Sequence, residues 1–211
     1  MTSENNSQQP PAWLRPHGPG WTAGAPERLH DNPWFAVDYY DAVAPTGAPA
    51  RYYVHDQKAV ATGCLPLYDD GTVVLVGQWR FPFGTYSWEM PEGGVPPPEE
   101  PLDGCKRELA EEAGLKASDW REVVRLQLSN SSSNEFAICY LATGLSPASA
   151  DTVDHTEDLA IVRVPFREVL AAIADGHIQD AMTVATVLRV HHMAVTGALD
   201  PALAKVMLSW P

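Results

Sequence analysis

The chain has 211 residues, a size for one domain with a short appendage, and its 45% hydrophobic and 19% charged content is that of an ordinary globular protein. A formal net charge of −13 argues against nucleic acid as a partner, because gripping a phosphate backbone needs clustered Lys and Arg. A phosphate-rich small molecule stays open, provided cations and a few arginines neutralise it locally.

Met1 to Arg28, rich in Pro, Gly, Asn, Ser and Gln, reads as a flexible or loosely docked tail (residues 1–28), too polar at its start for a signal peptide. Trp13 and Trp21 suggest that part of it packs on something. Residues 29–57 form an extension of strands: Trp34–Ala42 and Ala50–His55 are aromatic and β-branched and flank a Pro/Gly turn, which predicts a hairpin. The main domain, residues 58–211, opens with a second predicted hairpin, Lys58–Tyr68 and Thr72–Trp79 around Asp69-Asp70-Gly71. A short strand at Ser87–Met90 and a Pro/Gly loop at Pro91–Pro98 follow. Pro101–Ala113 has helical periodicity, with Pro at its start and Gly114 at its end. Strands are expected at Trp120–Leu128, Glu135–Thr143 and Leu159–Val164, and helices at Phe166–Ala174 and Ile178–Val195. No apolar run is long enough for a membrane span. Three scattered cysteines without a CxxC pair read as buried thiols of a reducing cytoplasm.

The chemistry sits on the helix Pro101–Ala113. At about 100° per residue, Leu102, Cys105, Leu109 and Ala113 form an apolar stripe, and Glu108, Glu111 and Glu112 share the adjoining face. Three carboxylates so placed repel one another and weaken the helix unless a cation sits among them. Mg²⁺ answers that need with carboxylate, water and phosphate oxygens. Alone, the trio would more readily be a solvated acidic face. The fixed spacing Gly93, Glu99, Arg107-Glu108-Leu109, Glu111-Glu112, Gly114-Leu115 reverses that balance, since its chance occurrence is on the order of one in a billion per start position.

With every defining position filled, this segment resembles the Nudix box. Gln78-Trp79-Arg80, Trp88-Glu89-Met90-Pro91-Glu92-Gly93-Gly94 and Gly176–Thr183 are similar to the ADP-ribose and nucleotide-sugar pyrophosphatase branch. The resemblance implies an α/β fold, the α/β/α Nudix sandwich with a mixed sheet, preceded here by the β-rich extension. It implies a homodimer in which that extension is exchanged. It also implies Mg²⁺ (or Mn²⁺) held by Glu108 and Glu112, with Glu111 a further ligand or bridging partner and the backbone carbonyl of Glu92 completing the set. Arg107 and Glu99 would orient the carboxylates.

The implied reaction is hydrolysis of the diphosphate bond in a nucleoside diphosphate sugar. Its general base is often a Glu in the loop after the box, a place held here by Glu135, which alternatively merely precedes a strand. The polar loop before Glu135 is expected to close over substrate. Arg80 is a candidate phosphate ligand or a strand-end ion pair. Glu89 is a candidate for supporting the metal site or binding the substrate's nucleobase, or else an exposed carboxylate beside Trp88. His191-His192 reads as helix surface. The loop before Glu135 lacks the Pro-Gly pair of dedicated ADP-ribose pyrophosphatases, which leaves other nucleotide sugars open. Two rivals are a Nudix hydrolase of dinucleotides, nucleoside triphosphates or coenzyme A derivatives, and a nucleotide-sugar sensor without turnover.

Overall fold

The strand Phe136–Pro147 (β10) shows why the chain folds in layers. Along it Ala137, Cys139 and Leu141 enter one apolar cluster while Ile138, Tyr140 and Ala142 enter another, the period-two alternation of a sheet covered on both faces. The computed structural model describes residues 11–149 and 158–209. In it β10 sits inside a mixed sheet ordered β8-β5-β10-β9, made with Val60–Pro66 (β5), Glu92–Val95 (β8) and Leu115–Gln127 (β9). β5 and β10 run parallel, and the other neighbours are antiparallel. One face packs on Pro101–Ala113 (α1) through Cys64, Cys105, Leu109 and Tyr140. The other packs on Ala181–Val195 (α3) with Val187, Val190 and Met193, backed by Phe166–Ala174 (α2) and Pro201–Leu208 (α4). This is the expected α/β/α sandwich. Truncating a side chain as enclosed as Leu109, which is 0% exposed, should cost about 2–5 kcal/mol.

α1 spans the predicted residues because Pro101 opens it and Gly114 closes it in the left-handed conformation (φ 64°), where other residues are strained. The stripe Leu102, Cys105, Leu109 and Ala113 faces the sheet as its spacing requires. All three cysteines are free and buried. His192 is exposed and His191 half-buried on α3.

Several expectations need correction. β5 and Thr72–Arg80 (β6) do not form a hairpin. The Asp69-Asp70-Gly71 turn forms, but beyond a single bridge between Leu67 and Val73 the strands part. β6 joins a second sheet, between Thr85–Glu89 (β7) and Ala160–Pro165 (β11). Both β5 and β6 are almost continuously apolar, so their pattern cannot say which strands flank them. The expected loop Pro91–Pro98 contains β8, whose Gly93 and Gly94 pair with Thr62 and Ala61. α3 starts at Ala181 rather than Ile178, because the Asp180 carboxylate accepts the Thr183 N–H and caps it. α4 adds a helix to the predicted elements, and Asp200-Pro201 is its start signal.

The first ten residues of the expected tail lie outside the described residues. Within the rest of it, Thr22–Ala23 (β1) and Glu27–Asp31 (β2) pair with one edge of Phe35–Val43 (β3), and Pro49–Gln57 (β4) pairs with the other. The boundary at residue 28 therefore falls inside a strand. Trp21 rests edge-on against Tyr52 with ring centroids 5.3 Å apart, while Trp13 is 79% exposed.

Candidate active site

Beside the acidic face of α1 lies a cavity of about 600 Å³. Arg107, Glu108, Glu111 and Glu112 line it together with Glu92, Gly93 and Gly94 of β8. The remaining lining includes Trp34, Gln57, Lys58 and Ala59, from the open end of the β3–β4 hairpin and the residues just after it. α1 and β8 meet because both pack against β5, and Gly93 permits a very close approach. A Cβ there would stand 2.4 Å from the Glu108 carboxylate.

The carboxylates are partly neutralised by Arg107. Its Nη1 donates to Glu108 at 2.8 Å and to Glu111 at 3.0 Å, and its Nε and Nη2 donate to Glu99 at 3.3 and 3.2 Å. Glu99, then Glu108 and Glu111, hold the guanidinium above its already high ordinary range. Buried Glu112 accepts the Glu92 N–H at 3.0 Å, which ties α1 to the first residue of β8. Burial pushes the Glu92 carboxyl well above the carboxylate range, helped by Asp180 and Glu89 and opposed by Arg80.

The donor set is one of hard oxygens: three glutamates on one helix and the main chain of β8. Among the described residues no three side chains of His, Cys, Asp or Glu close around a point as a ready-made metal cage. An acidic wall open to a cavity suits Mg²⁺ all the same. That ion usually takes one or two carboxylates and completes its octahedron with waters and substrate phosphates.

The structure leaves Arg80, Glu89 and Glu135 outside the cavity lining. Arg80 donates Nε to both oxygens of Glu89 at 3.0 Å, and Nη2 also bonds Glu89 and comes within 3.5 Å of Glu92. Glu89 is 2% exposed, so the expectation of an exposed carboxylate is corrected, and Arg80 is committed to compensating it. The Glu89 carboxylate raises the Arg80 pKa against the opposing effect of burial. Glu135 donates its N–H to Ser133 Oγ at 2.9 Å. Glu135 is half-buried, and β10 begins one residue after it, at Phe136.

The loop before Glu135 is bonded to the last three residues of β4. Ser132 O accepts from His55 N at 2.7 Å, Asn134 Oδ1 accepts from Gln57 N at 2.7 Å, and Asn134 Nδ2 donates to Asp56 at 2.5 Å. Sequence reasoning also missed Lys58 and Trp34. Lys58 Nζ bonds the Asp31 carboxylate and the Asn32 carbonyl, and its N–H donates to Trp34 O at 3.1 Å. The signal was the first hairpin, whose pairing of Phe35 with Gln57 brings residues 34 and 58 together at its open end.

The family model for the NUDIX domain matches residues 57–186, and the chain belongs to the Nudix family. An ADP-ribose pyrophosphatase of Mycobacterium tuberculosis is 33% identical over 178 residues, covering 83% of this chain and 84% of that protein. A GDP-mannose pyrophosphatase of Yersinia enterocolitica is 29% identical over 166 residues, covering 72% of this chain and 85% of that protein. A solved structure described as an ADP compounds hydrolase aligns with a TM-score of 0.76 at 22% identity, covering 88% of this chain and all (100%) of the other, and supports the fold.

Proposed function

We propose that this chain is a pyrophosphohydrolase that cleaves the diphosphate bond of a nucleoside diphosphate sugar, with ADP-ribose and GDP-mannose as the first substrates to consider. The observation that carries this reading is the placement of Glu108, Glu111 and Glu112 on one wall of a single cavity, against the glycine-bearing strand β8. Relatives named as ADP-ribose and GDP-mannose pyrophosphatases give the substrate class.

Glu108, Glu111, Glu112 and the Glu92 carbonyl hold a divalent cation, Mg²⁺ by donor chemistry, with Mn²⁺ a workable substitute. When bound, that cation neutralises the diphosphate oxygens and makes an attacking water easier to deprotonate. Arg107, braced by Glu99, keeps the Glu108 and Glu111 carboxylates in place. Glu135, in the loop after the box, accepts the proton as water adds to one phosphorus. The bridging P–O bond then breaks, giving a nucleoside monophosphate and a sugar phosphate.

The N-terminal sheet forms the interface of a homodimer, and the cytoplasm is the compartment. No helix among the described residues is long and apolar enough to cross a membrane. The test is a panel of nucleoside diphosphate sugars, dinucleotides, triphosphates and coenzyme A derivatives with Mg²⁺ or Mn²⁺, read by phosphatase-coupled phosphate release. Turnover of the sugars supports the reading, preference for another class replaces the substrate, and silence across the panel favours a sensor. In ¹⁸O-water one product phosphate should carry label, and label in both contradicts a single attack site.

A further inference from the structure

The segment Gly176–Thr183 matches the pyrophosphatase branch, yet the reaction above gives it no task. Its structure supplies one. Thr183 Oγ1 accepts the N–H of Met90 at 2.9 Å across 93 positions of chain, and both residues are 0% exposed. No water is at hand to replace that bond.

Met90 begins the three-residue approach to the Nudix box, and each residue of that approach is anchored to a different element. Met90 N–H goes to α3. Pro91 O accepts from Cys64 N of β5 at 3.0 Å, and Glu92 N–H goes to Glu112 of α1 at 3.0 Å. Pro91 has no N–H to offer, so the Met90 bond is the last main-chain donation before Glu92. β5 presses closely on the same residues, since a Cβ on Gly63 would stand 2.7 Å from Met90 Cε and 2.9 Å from Glu92 Cβ. Thr183 itself is fixed, because Asp180 Oδ2 accepts its N–H at 2.7 Å.

We infer that Thr183 is a positioning residue for the cation site: by holding Met90, the first turn of α3 sets the position of Glu92, two residues on, against α1. The inference rests on the cation site proposed above. It assigns that site a support from a helix that contributes none of its ligands. Losing a partner bonded directly to a metal donor typically weakens metal binding about 10–100-fold, and Thr183, which acts two residues from the donor, is held to the lower end of that range.

The test is Mn²⁺ binding to the full chain without nucleotide, followed by the electron paramagnetic resonance of free Mn²⁺. Wild type, T183V, T183S and T186V are compared well below their melting temperatures. Thr186, one turn further along α3 and equally buried, serves as the core control. T183V should weaken Mn²⁺ about tenfold or more, T183S should stay near wild type because it keeps the accepting hydroxyl, and T186V should match wild type. Unchanged binding in T183V overturns the inference. So does equal weakening in T186V, or failure of T183S to restore binding, since either assigns the effect to packing. If the wild type binds no Mn²⁺, the proposed cation site falls and takes this inference with it. If the wild type binds and T183V binds equally well, the inference alone falls.

Discussion

The Glu108 carboxylate occupies the space a side chain on Gly93 would need, with its Cδ and Oε1 both 2.4 Å from the position of a Cβ. The crowded atoms are the far end of a flexible side chain, so Gly93→Ala can be accommodated by swinging the carboxylate away rather than by parting β8 from α1. The expected outcome is a chain whose melting temperature shifts by only a few degrees, as about 1 kcal/mol would produce, but whose kcat/KM falls about 10–100-fold. Steady-state kinetics beside thermal unfolding checks it, and an active Gly93→Ala variant would remove Glu108 from the cation site.

Glu135→Gln removes the proposed proton acceptor while leaving every group of the acidic wall in place. kcat should drop, by about 10²–10⁴-fold for a lost general base, with Mn²⁺ affinity retained. Loss of Mn²⁺ affinity instead would reassign Glu135 to the metal, and unchanged kcat would return it to its loop.

Burial raises the Cys64 thiol well above its ordinary pKa and pushes Cys139 up to about 12. Both thiols therefore stay protonated at pH 8, and the thiolate is the reactive form. Titration of the native chain with a disulfide reagent at that pH should find Cys64 and Cys139 silent, and unfolding in urea should release them. Prompt labelling of either in the native state would contradict the packing of α1 or α3 on the sheet.

Arg28, within the stretch expected to be tail, grips Asp38 with Nε at 2.6 Å and Nη2 at 2.9 Å and also reaches Asp56 at 3.2 Å. The guanidinium holds the Asp38 carboxyl below its ordinary value. A depressed folded pKa means that the stabilisation is present above the unfolded value, about 4, and is lost as pH falls through the lower folded value. Asp38→Asn should therefore lower the urea midpoint at pH 6, with the gap to wild type closing as pH drops below about 4. A gap that persists undiminished at the acid end would show that the ion pair is not its source.

The helix α1 is readable from sequence because its limits, apolar stripe and acidic face are all local. Pro101, Gly114 and the spacing of Leu102, Cys105, Leu109 and Ala113 each act within a few turns. Nonlocal pairing was not readable. Nothing in Val73–Val76 tells whether β5 or β11 lies beside it, and the glycines of β8 look like loop until Thr62 and Ala61 are seen opposite them. The same limit applied to the site. Arg80 and Glu89, nine residues apart, meet only because β6 and β7 form the true hairpin. Lys58 reaches the cavity because an unrelated hairpin ends there.

The central claim, that the acidic wall of α1 works by holding a divalent cation against a diphosphate, is tested most directly by Mg²⁺ titration of ADP-ribose and GDP-mannose hydrolysis in wild type and Glu112→Gln. The amide keeps an oxygen that can accept the Glu92 N–H, so the fold should survive while the charge is lost. The predicted result is Mg²⁺-dependent release of monophosphates by the wild type and a loss of about 10–100-fold in the variant. Hydrolysis without any divalent ion, or a Glu112→Gln variant as fast as wild type at the same Mg²⁺, would contradict it.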